Sequence, residues 1–281
     1  MNTENVLVAN QFETIDTADI NRIAQLLFKQ YHFELNSFAP TFINRRIVYS
    51  MQKHKVSDVD EFLNRLLITD FFEKFLFDLS VQGTEFFRDT SVWENLFKIV
   101  IENIKPNSEY RVWFPDCGNG EDLYSFTILL KQFGLYDKCS ITASNISNEK
   151  IAFIKQGMYE GKYDYSDISN YNKQAFLMPT SSFFSTIDTA IKVNNNVLIN
   201  VNFLNSNASK KNNTKMYDLV IFRNAMIHYS KEFQIKVLEN ITESIKQGGL
   251  LIIGVNEQLL IHEIKNAYNT ISEIDKIFQK S

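Results

Sequence analysis

The stretch "RVWFPDCGNGEDLYSFTILL", from Arg111 to Leu130, decides the fold of this chain of 281 residues. An apolar run of strand length ends at an acid, passes through a turn of small residues, and continues as an amphipathic helix. Gly118 and Gly120 let the backbone of that turn come close to a ligand. In an open parallel sheet, ligands bind beyond the carboxyl ends of the strands, so the turn is a candidate site. A tight turn that merely needs glycine is the alternative.

Apolar segments of strand length alternate with helical segments after residue 110. They include "RVWF", "CSITAS", "YDLVIF" and "LLIIGV". One face of a predicted helix is formed by Ile235, Leu238, Ile241 and Ile245. We expect the glycine pair at 248–249 to separate that helix from the next strand. This alternation predicts an α/β fold, in which a mainly parallel, Rossmann-like sheet is covered by helices on both faces.

The opening quarter has a different pattern, because its apolar residues recur every three or four positions. A helix over "SDVDEFLNRLL" is predicted, with Ser57 as its N-cap. We therefore expect residues 1–80 to form a small all-α domain and residues 81–281 to form the α/β domain. At about 162–200 the sequence is polar and aromatic, and "AIKV" and the start of "NVLINVNF" are strand candidates, which predicts a small β insertion.

Composition limits the classes of protein to consider. With 44% hydrophobic residues the chain can bury a substantial core, and its formal net charge of −4 says little about partners. Cys117 and Cys139 are the only cysteines, and their spacing indicates neither a metal site nor a disulfide framework. The first residues lack the features of a signal peptide, and "LLIIGV" is too short to span a membrane. These features predict a cytoplasmic protein that does not insert into the membrane.

The residues around the glycine turn indicate the chemistry of its ligand. Leu123 breaks the full G-x-G-x-x-G pattern, and no phosphate loop with G-K-[ST] is present. Glu121 and Asp122 would repel a pyrophosphate but suit a cationic or hydroxyl-bearing ligand. S-adenosylmethionine, with its sulfonium cation and ribose diol, fits better than NAD or ATP. Asn145 ends the second strand, where Rossmann-like proteins place a ribose-binding acid, and it is either a hydroxyl ligand or a turn residue.

Four blocks of sequence, in this order and spacing, resemble the chemotaxis methyltransferase family, CheR. They are "TEFFRD" (Thr84 to Asp89), "DCGNGEDLYS" (Asp116 to Ser125), "FRNAMIHYSKEFQ" (Phe222 to Gln234) and "GGLLIIGVNEQL" (Gly248 to Leu259). The helical opening with "INRRI" and the ending "IFQK" also fit, so the resemblance spans nearly the whole chain. It implies that S-adenosylmethionine methylates glutamate side chains on the cytoplasmic helices of chemoreceptors, in chemotaxis signalling. The products would be methyl esters and S-adenosylhomocysteine.

The resemblance also implies which residues form the site. Contacts to the cofactor would come from Gln82, Thr84, Arg88, Asp116, Gly118, Gly120, Glu121, Asn145, Asn202, Phe203, Arg223 and Asn224. The groups nearest the reacting methyl would be Arg88, His228 and Tyr229. The basic residues that dock on acidic receptor helices would be Arg45, Arg46 and Lys53. The β insertion would correspond to a subdomain that tethers a receptor tail in some members.

Several positions depart from the pattern of the family. His228 stands where the family usually has Tyr, and it either alters substrate positioning or simply fills the space. Asn145 replaces an acid, Gln82 replaces an Asn, and Gly118 replaces a small hydroxyl residue. Two alternatives therefore stay open: a catalytically impaired relative that binds a partner, and an enzyme that methylates another protein or a small-molecule carboxylate.

The implied reaction agrees with the absence of an obvious acid–base constellation. A glutamate side chain has an ordinary pKa of about 4.3, so it is an anion at neutral pH and needs no general base. It needs alignment with the methyl group and exclusion of water. Arg88 would orient that carboxylate, or it forms a structural ion pair with Asp89.

The segment from Asn21 to Val56 contains six Lys or Arg residues against one acid. It predicts a basic face, which either docks an acidic partner or is simply solvated. The same charge could bind nucleic acid weakly. The chain lacks the interleaved aromatic and basic residues of RNA modules and any N-P-P-Y-like motif, so nucleic acid is not the predicted substrate.

Overall fold

The computed structural model describes residues 14–80, 85–104, 109–159, 170, 179–210, 216–259 and 261–281. The chain folds into two compact units. The first comprises Met1–Leu79 together with His228–Phe233, and the second comprises Ser80–Ile227 and Gln234–Ser281. None of the helices described is long and apolar enough to cross a membrane.

The first unit is helical. Its helices are α1 (Thr17–Tyr31), α2 (Pro40–Lys53), α3 (Val59–Leu66) and α4 (Thr69–Leu79). Each buries the apolar face that its helical spacing predicts, and the fully buried side chains include Ile23, Leu27, Ile47, Met51, Phe62, Leu66, Phe75 and Leu79. The predicted cap of α3 is wrong by one residue. Asp58, rather than Ser57, accepts the N–H of Glu61 at 2.8 Å, because Asp58 has the extended backbone of an N-cap.

The second unit contains a sheet of seven strands, which confirms the predicted α/β class. Its helices are α5 (Thr90–Asn103), α6 (Glu121–Gln132), α7 (Asn148–Gln156), α8 (Lys231–Ser244) and α9 (His262–Asn266). Its large sheet contains β1 (Tyr110–Phe114), β2 (Cys139–Asn145), β6 (Val201–Asn205), β7 (Tyr217–Phe222), β8 (Ile245–Ile253), β9 (Tyr268–Ser272) and β10 (Ile277–Lys280). The first residues of α8 group with the first unit.

The order of the strands places the glycine turn at a switch point of the sheet. The order is β6-β2-β1-β7-β8-β10-β9; the first five strands run parallel to one another, and β10 is antiparallel to β8 and β9. From β1 the chain proceeds to β2 on one side, and β7 later pairs on the other side of β1. The loops after β1 and β7 therefore leave the sheet at adjacent carboxyl ends, where doubly wound proteins bind ligands.

The predicted β insertion corresponds in part to a small separate sheet. It pairs β5 (Ala190–Val193) with β3 (Met158–Tyr159) and β4 (Phe184–Ile187), all antiparallel. Most of residues 162–178 lie outside the described part of the chain. The expectation for "NVLINVNF" is wrong, since its start is a 3₁₀ turn and its end is β6, which pairs with β2 in the large sheet.

The glycine pair at 248–249 does not separate α8 from the next strand. The strand β8 already begins at Ile245, so both glycines lie inside it. Gly248 has a φ of +75°, and the pairing of β7 with β8 shifts between Tyr217 and Leu219. Gly248 therefore serves an irregularity of the strand, where a positive φ is needed as it is at many helix ends.

Candidate functional site

A solvent-open pocket lies where β1 and β7 end. Its wall includes Phe114, Asp116, Cys117, Gly118, Asn119, Glu121, Asp122, Ile221, Arg223 and Ala225. A concave site at the carboxyl edge of such a sheet is a usual place for a small ligand. Every one of these residues belongs to the end of β1 and the loop after it, the start of α6, or the end of β7 and the loop that follows it. The pocket is therefore a product of the switch point.

The turn after β1 is shaped by glycine. Gly118 and Gly120 have φ angles of +51° and +95°, which side chains disfavour. A Cβ at Gly120 would also lie 2.8 Å from Cγ2 of Ile154 in α7, so the helix packs directly on the turn. Gly120 then precedes Glu121, whose side chain is buried at the positive end of α6. The sequence thus places a carboxylate at the pocket wall where the helix stabilises it.

Two buried residues, which the sequence analysis did not identify, contact Asn119 and hold this turn in place. The ammonium group of Lys150 donates to Oδ1 of Asn119 at 2.6 Å, and the hydroxyl of Tyr159 donates to the Asn119 carbonyl at 2.7 Å. Lys150 is 1% exposed. A lysine on an apolar face of α7 was the available signal, because a buried ammonium requires a partner. Burial raises the pKa of the Cys117 thiol in the same turn, so that thiol stays protonated.

Asn145 is engaged with the turn rather than turned outward. It is 1% exposed, and its amide nitrogen donates to Oδ1 of Asp116 at 3.3 Å and to the Gly118 carbonyl at 3.4 Å. Its Oδ1 accepts the N–H of Ser147 at 3.0 Å. These contacts agree with the reading of Asn145 as a turn residue at the carboxyl edge of the sheet.

Arg223 connects three segments at the pocket. Its side chain is 1% exposed, and its guanidinium pairs with Asp122 at 3.0 Å and with Asp89 at 2.6 Å. The same guanidinium lies 5.4 Å from the centre of the Trp93 ring. Burial raises the pKa of Asp122, and the charge of Arg223 opposes that effect. The Nε atom of Arg223 is buried and has no hydrogen-bond partner among the described residues.

A buried carboxylate that the sequence did not reveal shapes the loop after β7. Glu257 is 3% exposed and accepts the N–H groups of Gly254 at 2.6 Å, Asn224 at 3.0 Å and Ile227 at 3.2 Å. Burial raises the pKa of Glu257, and these backbone bonds together with one from Met226 act in the opposite direction. Glu257 therefore fixes the backbone of the loop that carries Arg223.

Asn224 itself shows two features of a functional position. Its φ is +59°, in the left-handed region, and its Nδ2 is buried with no hydrogen-bond partner in the described part of the chain. Phe87 and Asp89 have φ angles of +56° and +57°, so the segment that contains Arg88 is also held in this disfavoured region. Such backbone strain tends to cluster at binding and catalytic sites.

The side chain of Arg88 is 37% exposed, and its Nε lies 4.0 Å from the Asp89 carboxylate. The ion pair that the sequence left open thus exists at the outer limit of contact. The Arg88 carbonyl accepts the indole N–H of Trp93 at 2.9 Å and a guanidinium N–H of Arg223 at 3.2 Å. The segment is therefore tied to Arg223 through its backbone.

Two of the expected cofactor contacts lie away from the carboxyl edge of the sheet. Asn202 and Phe203 pair with Thr142 and Ala143, two to three residues before β6 ends. The residues that leave that edge are Ser206 and its successors, and the N–H of Ser206 donates to the Asn145 carbonyl at 3.0 Å. Gln82 and Thr84, the remaining expected contacts, lie outside the described residues.

His228 and Tyr229 group with the helical unit. The imidazole of His228 stacks on Phe42 with ring centres 4.5 Å apart, and Tyr229 packs edge-on against Phe38 at 5.5 Å. Burial, together with the charges of Arg45 and Arg46, lowers the pKa of His228 to about 4. The imidazole is therefore neutral at pH 7.

The three expected docking residues differ in their availability. Arg45 is exposed on α2. Arg46 donates its Nε to the Asp78 carbonyl at 2.6 Å, and Lys53 forms an ion pair with the Asp78 carboxylate at 2.6 Å. Burial lowers the pKa of Arg46, and the charge of Asp78 opposes this. Arg46 and Lys53 thus hold the end of α4, in addition to any role at the surface.

The groups at the pocket suit one kind of ligand. Carboxylates from Asp116 and Glu121 favour a cation or hydroxyls, and Arg223, which lines the same pocket, favours an anion such as a carboxylate. S-adenosylmethionine carries a sulfonium, an amino group, a ribose diol and a carboxylate, so the residues present fit it. No cluster of three or more His, Cys, Asp or Glu side chains that could hold a metal ion occurs within the described ranges.

Comparisons with known proteins agree with this ligand. The family model described as CheR methyltransferase, SAM binding domain, matches residues 82–274. The Pseudomonas putida protein named putative methyltransferase Cher3 is 22% identical over 264 residues, which cover 94% of this chain and 97% of that protein. A chemotaxis protein methyltransferase of Listeria innocua is 26% identical, over 81% of this chain and 85% of its own. Chemotaxis protein methyltransferase 1 of Vibrio cholerae is 23% identical, over 88% and 91%.

Proposed function

Because the chain belongs to the CheR methyltransferase family and uses S-adenosylmethionine, we propose that it methylates glutamate side chains on the cytoplasmic helices of chemoreceptors. The observation that carries the proposal is the family match over residues 82–274. The names of the Listeria and Vibrio relatives support an acceptor in chemotaxis. The products would be glutamate methyl esters and S-adenosylhomocysteine.

The pocket residues would hold the cofactor by matched charge. When bound, S-adenosylmethionine supplies an electrophilic methyl carbon on a positively charged sulfur. Glu121, at the start of α6, and Asp116 provide the negative environment that a cation and hydroxyls require. Arg223, which lines the pocket, would bind the carboxylate of the methionine moiety. Buried Lys150 holds the turn after β1, and buried Glu257 holds the loop after β7. These contacts keep the pocket residues in place before the ligand arrives.

The chain needs no general base for this transfer. The acceptor glutamate is ionised at neutral pH, so one of its oxygens forms the bond to the methyl carbon while the carbon–sulfur electron pair leaves with sulfur. No proton moves, and two opposite charges are neutralised. The contribution of the protein is alignment and exclusion of water, and a low-polarity environment favours the loss of charge.

We assign the acceptor side of the reaction to Arg88, His228 and Tyr229. The part-exposed guanidinium of Arg88 would attract the acceptor carboxylate. His228 is neutral at pH 7, so it would donate a hydrogen bond rather than a charge. Arg45 is the exposed cation with which α2 would meet an acidic receptor helix, with Arg46 and Lys53 giving secondary support. The predicted helical domain, residues 1–80, would thus serve substrate docking, and the predicted α/β domain, residues 81–281, would serve methyl transfer.

Methyl transfer to a purified chemoreceptor cytoplasmic fragment tests the proposal. The full chain is incubated with methyl-tritiated S-adenosylmethionine, and the labelled fragment is then treated with mild alkali. We expect the label to be released as methanol, which identifies an ester. Arg45→Ala should reduce the transfer, whereas Lys98→Ala, at an exposed lysine of α5, should not.

Three results would contradict the proposal in different ways. Label that resists alkali would indicate methylation of nitrogen. Label found only on other proteins or on small carboxylic acids of a cell extract would identify a different acceptor. No label in either case, while S-adenosylhomocysteine still binds, would favour a partner-binding relative that does not transfer methyl groups.

A further inference from the structure

The ends of β1 and β2 bring an acid and an amide into contact. The strands are paired so that Phe114 lies opposite Ala143. Two residues later on each side, the Asp116 carboxylate accepts the amide N–H of Asn145 at 3.3 Å. In Rossmann-like sites the acid that accepts the ribose hydroxyls stands at the end of the second strand. In this chain that position is Asn145, and the acid stands at the end of the first strand.

We propose that Asp116 supplies the carboxylate that receives the ribose hydroxyls of the methyl donor, and that Asn145 is a positioning residue for it. Asn145 is 1% exposed and uses its amide nitrogen on Asp116 and Gly118 and its oxygen on Ser147. Asp116 is half-buried and lines the pocket. The acid therefore faces the ligand, and the amide lies behind it.

Donors from the turn and from β2 orient the Asp116 carboxylate. Its Oδ1 accepts the Gly118 N–H at 3.1 Å as well as the Asn145 amide. Since Gly118 belongs to the turn, the orientation of the carboxylate is tied to the fold of the turn. A charge-assisted hydrogen bond from a hydroxyl to such a fixed carboxylate is stronger than one to a neutral amide.

Asp116 and position 145 cannot both carry an ionised acid. An acid at position 145 as well would place two carboxylates in contact, where like charges repel strongly. The neutral Asn145 instead donates a hydrogen bond to its neighbour. The chain thus carries a single negative charge at the ribose position, and that charge lies one strand away from its usual place.

The inference concerns the cofactor alone and does not depend on the proposed methyl acceptor. Its test is a calorimetric titration of the full chain with S-adenosylhomocysteine and with the analogue that lacks both ribose hydroxyls. We expect the unmodified protein to bind S-adenosylhomocysteine at least about ten-fold more tightly than the analogue. Asp116→Asn should lose this preference and bind S-adenosylhomocysteine about ten-fold to a hundred-fold more weakly.

Reciprocal variants separate a contact with the ribose from a role in the shape of the turn. Asn145→Asp should weaken binding by repulsion. The double variant Asp116→Asn with Asn145→Asp, which moves the charge to the second strand, should regain most of the affinity and the preference for hydroxyls. Melting of each variant without ligand controls for folding.

Several outcomes would overturn the inference. Equal binding of the two ligands by the unmodified protein would overturn it. Normal binding of S-adenosylhomocysteine by Asp116→Asn would also overturn it, and so would an equal loss of affinity for both ligands in that variant. A double variant as weak as Asp116→Asn would show that the charge was not transferred between the two positions.

Discussion

Replacing Glu257 by Gln tests whether a buried carboxylate shapes the loop that carries Arg223. Both carboxylate oxygens of Glu257 accept backbone N–H groups: Oε2 from Gly254 and Asn224, and Oε1 from Ile227. Met226 donates as well. A glutamine side chain has one oxygen and one NH₂ group, so in either orientation an N–H must face another N–H. The Glu257→Gln variant therefore cannot satisfy all of these donors.

The magnitude follows from the number of acceptors that the substitution removes. Glu257 is 3% exposed, so water cannot readily replace a missing acceptor. A buried donor without an acceptor costs about 1–3 kcal/mol. With about two donors left unsatisfied, and with the longest bond, to Ile227, at 3.2 Å, we expect the free energy of unfolding to fall by about 2–4 kcal/mol.

Denaturant unfolding followed by circular dichroism measures this change. The matched control is Glu239→Gln, at an exposed position of α8, for which we expect a change within about 0.5 kcal/mol. Calorimetry should also show weaker binding of S-adenosylhomocysteine by Glu257→Gln, because the loop also carries Arg223. Unfolding and binding that both match the unmodified protein would refute the role assigned to Glu257.

Three further perturbations test other parts of the structure. Asp78→Asn should lower the free energy of unfolding by about 2–4 kcal/mol in denaturant, because the fully buried carboxylate contacts Ser50 and the charged Lys53; the exposed Asp70→Asn should cost less than about 1 kcal/mol. Arg223→Met should cost about 3–5 kcal/mol and abolish calorimetric binding of S-adenosylhomocysteine, since its acidic partners lose their counter-charge, and normal binding by a folded variant would contradict its role. The pKa of His228 is lowered from 6.5 to about 4 in the folded chain, so its contribution to stability is present above pH 6.5 and is lost as the pH falls towards 4. Melting temperatures should therefore fall less between about pH 7 and pH 4.5 for His228→Phe, and equal falls would contradict that assignment.

Much of the fold was predictable because its signals are local. The apolar runs of β1, β2 and β7 and the turn that follows β1 are each visible within about ten residues, and they predict a parallel sheet correctly. The partner of a strand is not a local property. The start of "NVLINVNF" was expected to be a strand of the insertion, but it forms a 3₁₀ turn, and β6 begins only at Val201, where it pairs with β2. The glycine pair at 248–249 was ambiguous for a related reason: the positive φ of Gly248 is found both at helix ends and at irregularities of strands.

The site was predictable where a motif marks it. Asp116, Gly118, Glu121 and Arg223 were expected near one ligand, and the structure brings them to one pocket. Glu257 and Lys150 were missed because their importance comes from burial against distant backbone and side-chain groups. An ionisable residue beside an apolar strand or on an apolar helix face was the available signal, since such a group must find partners when buried.

Locating the transferred methyl group tests the proposed reaction most directly. The full chain is incubated with methyl-deuterated S-adenosylmethionine and a chemoreceptor cytoplasmic fragment, and tandem mass spectrometry then assigns the label to an atom type and a residue. We expect label on glutamate side chains as methyl esters, abolished by Arg223→Met and competed by S-adenosylhomocysteine. Label on any other side chain, or no label on a fragment that binds the cofactor-loaded protein, would contradict the proposed reaction.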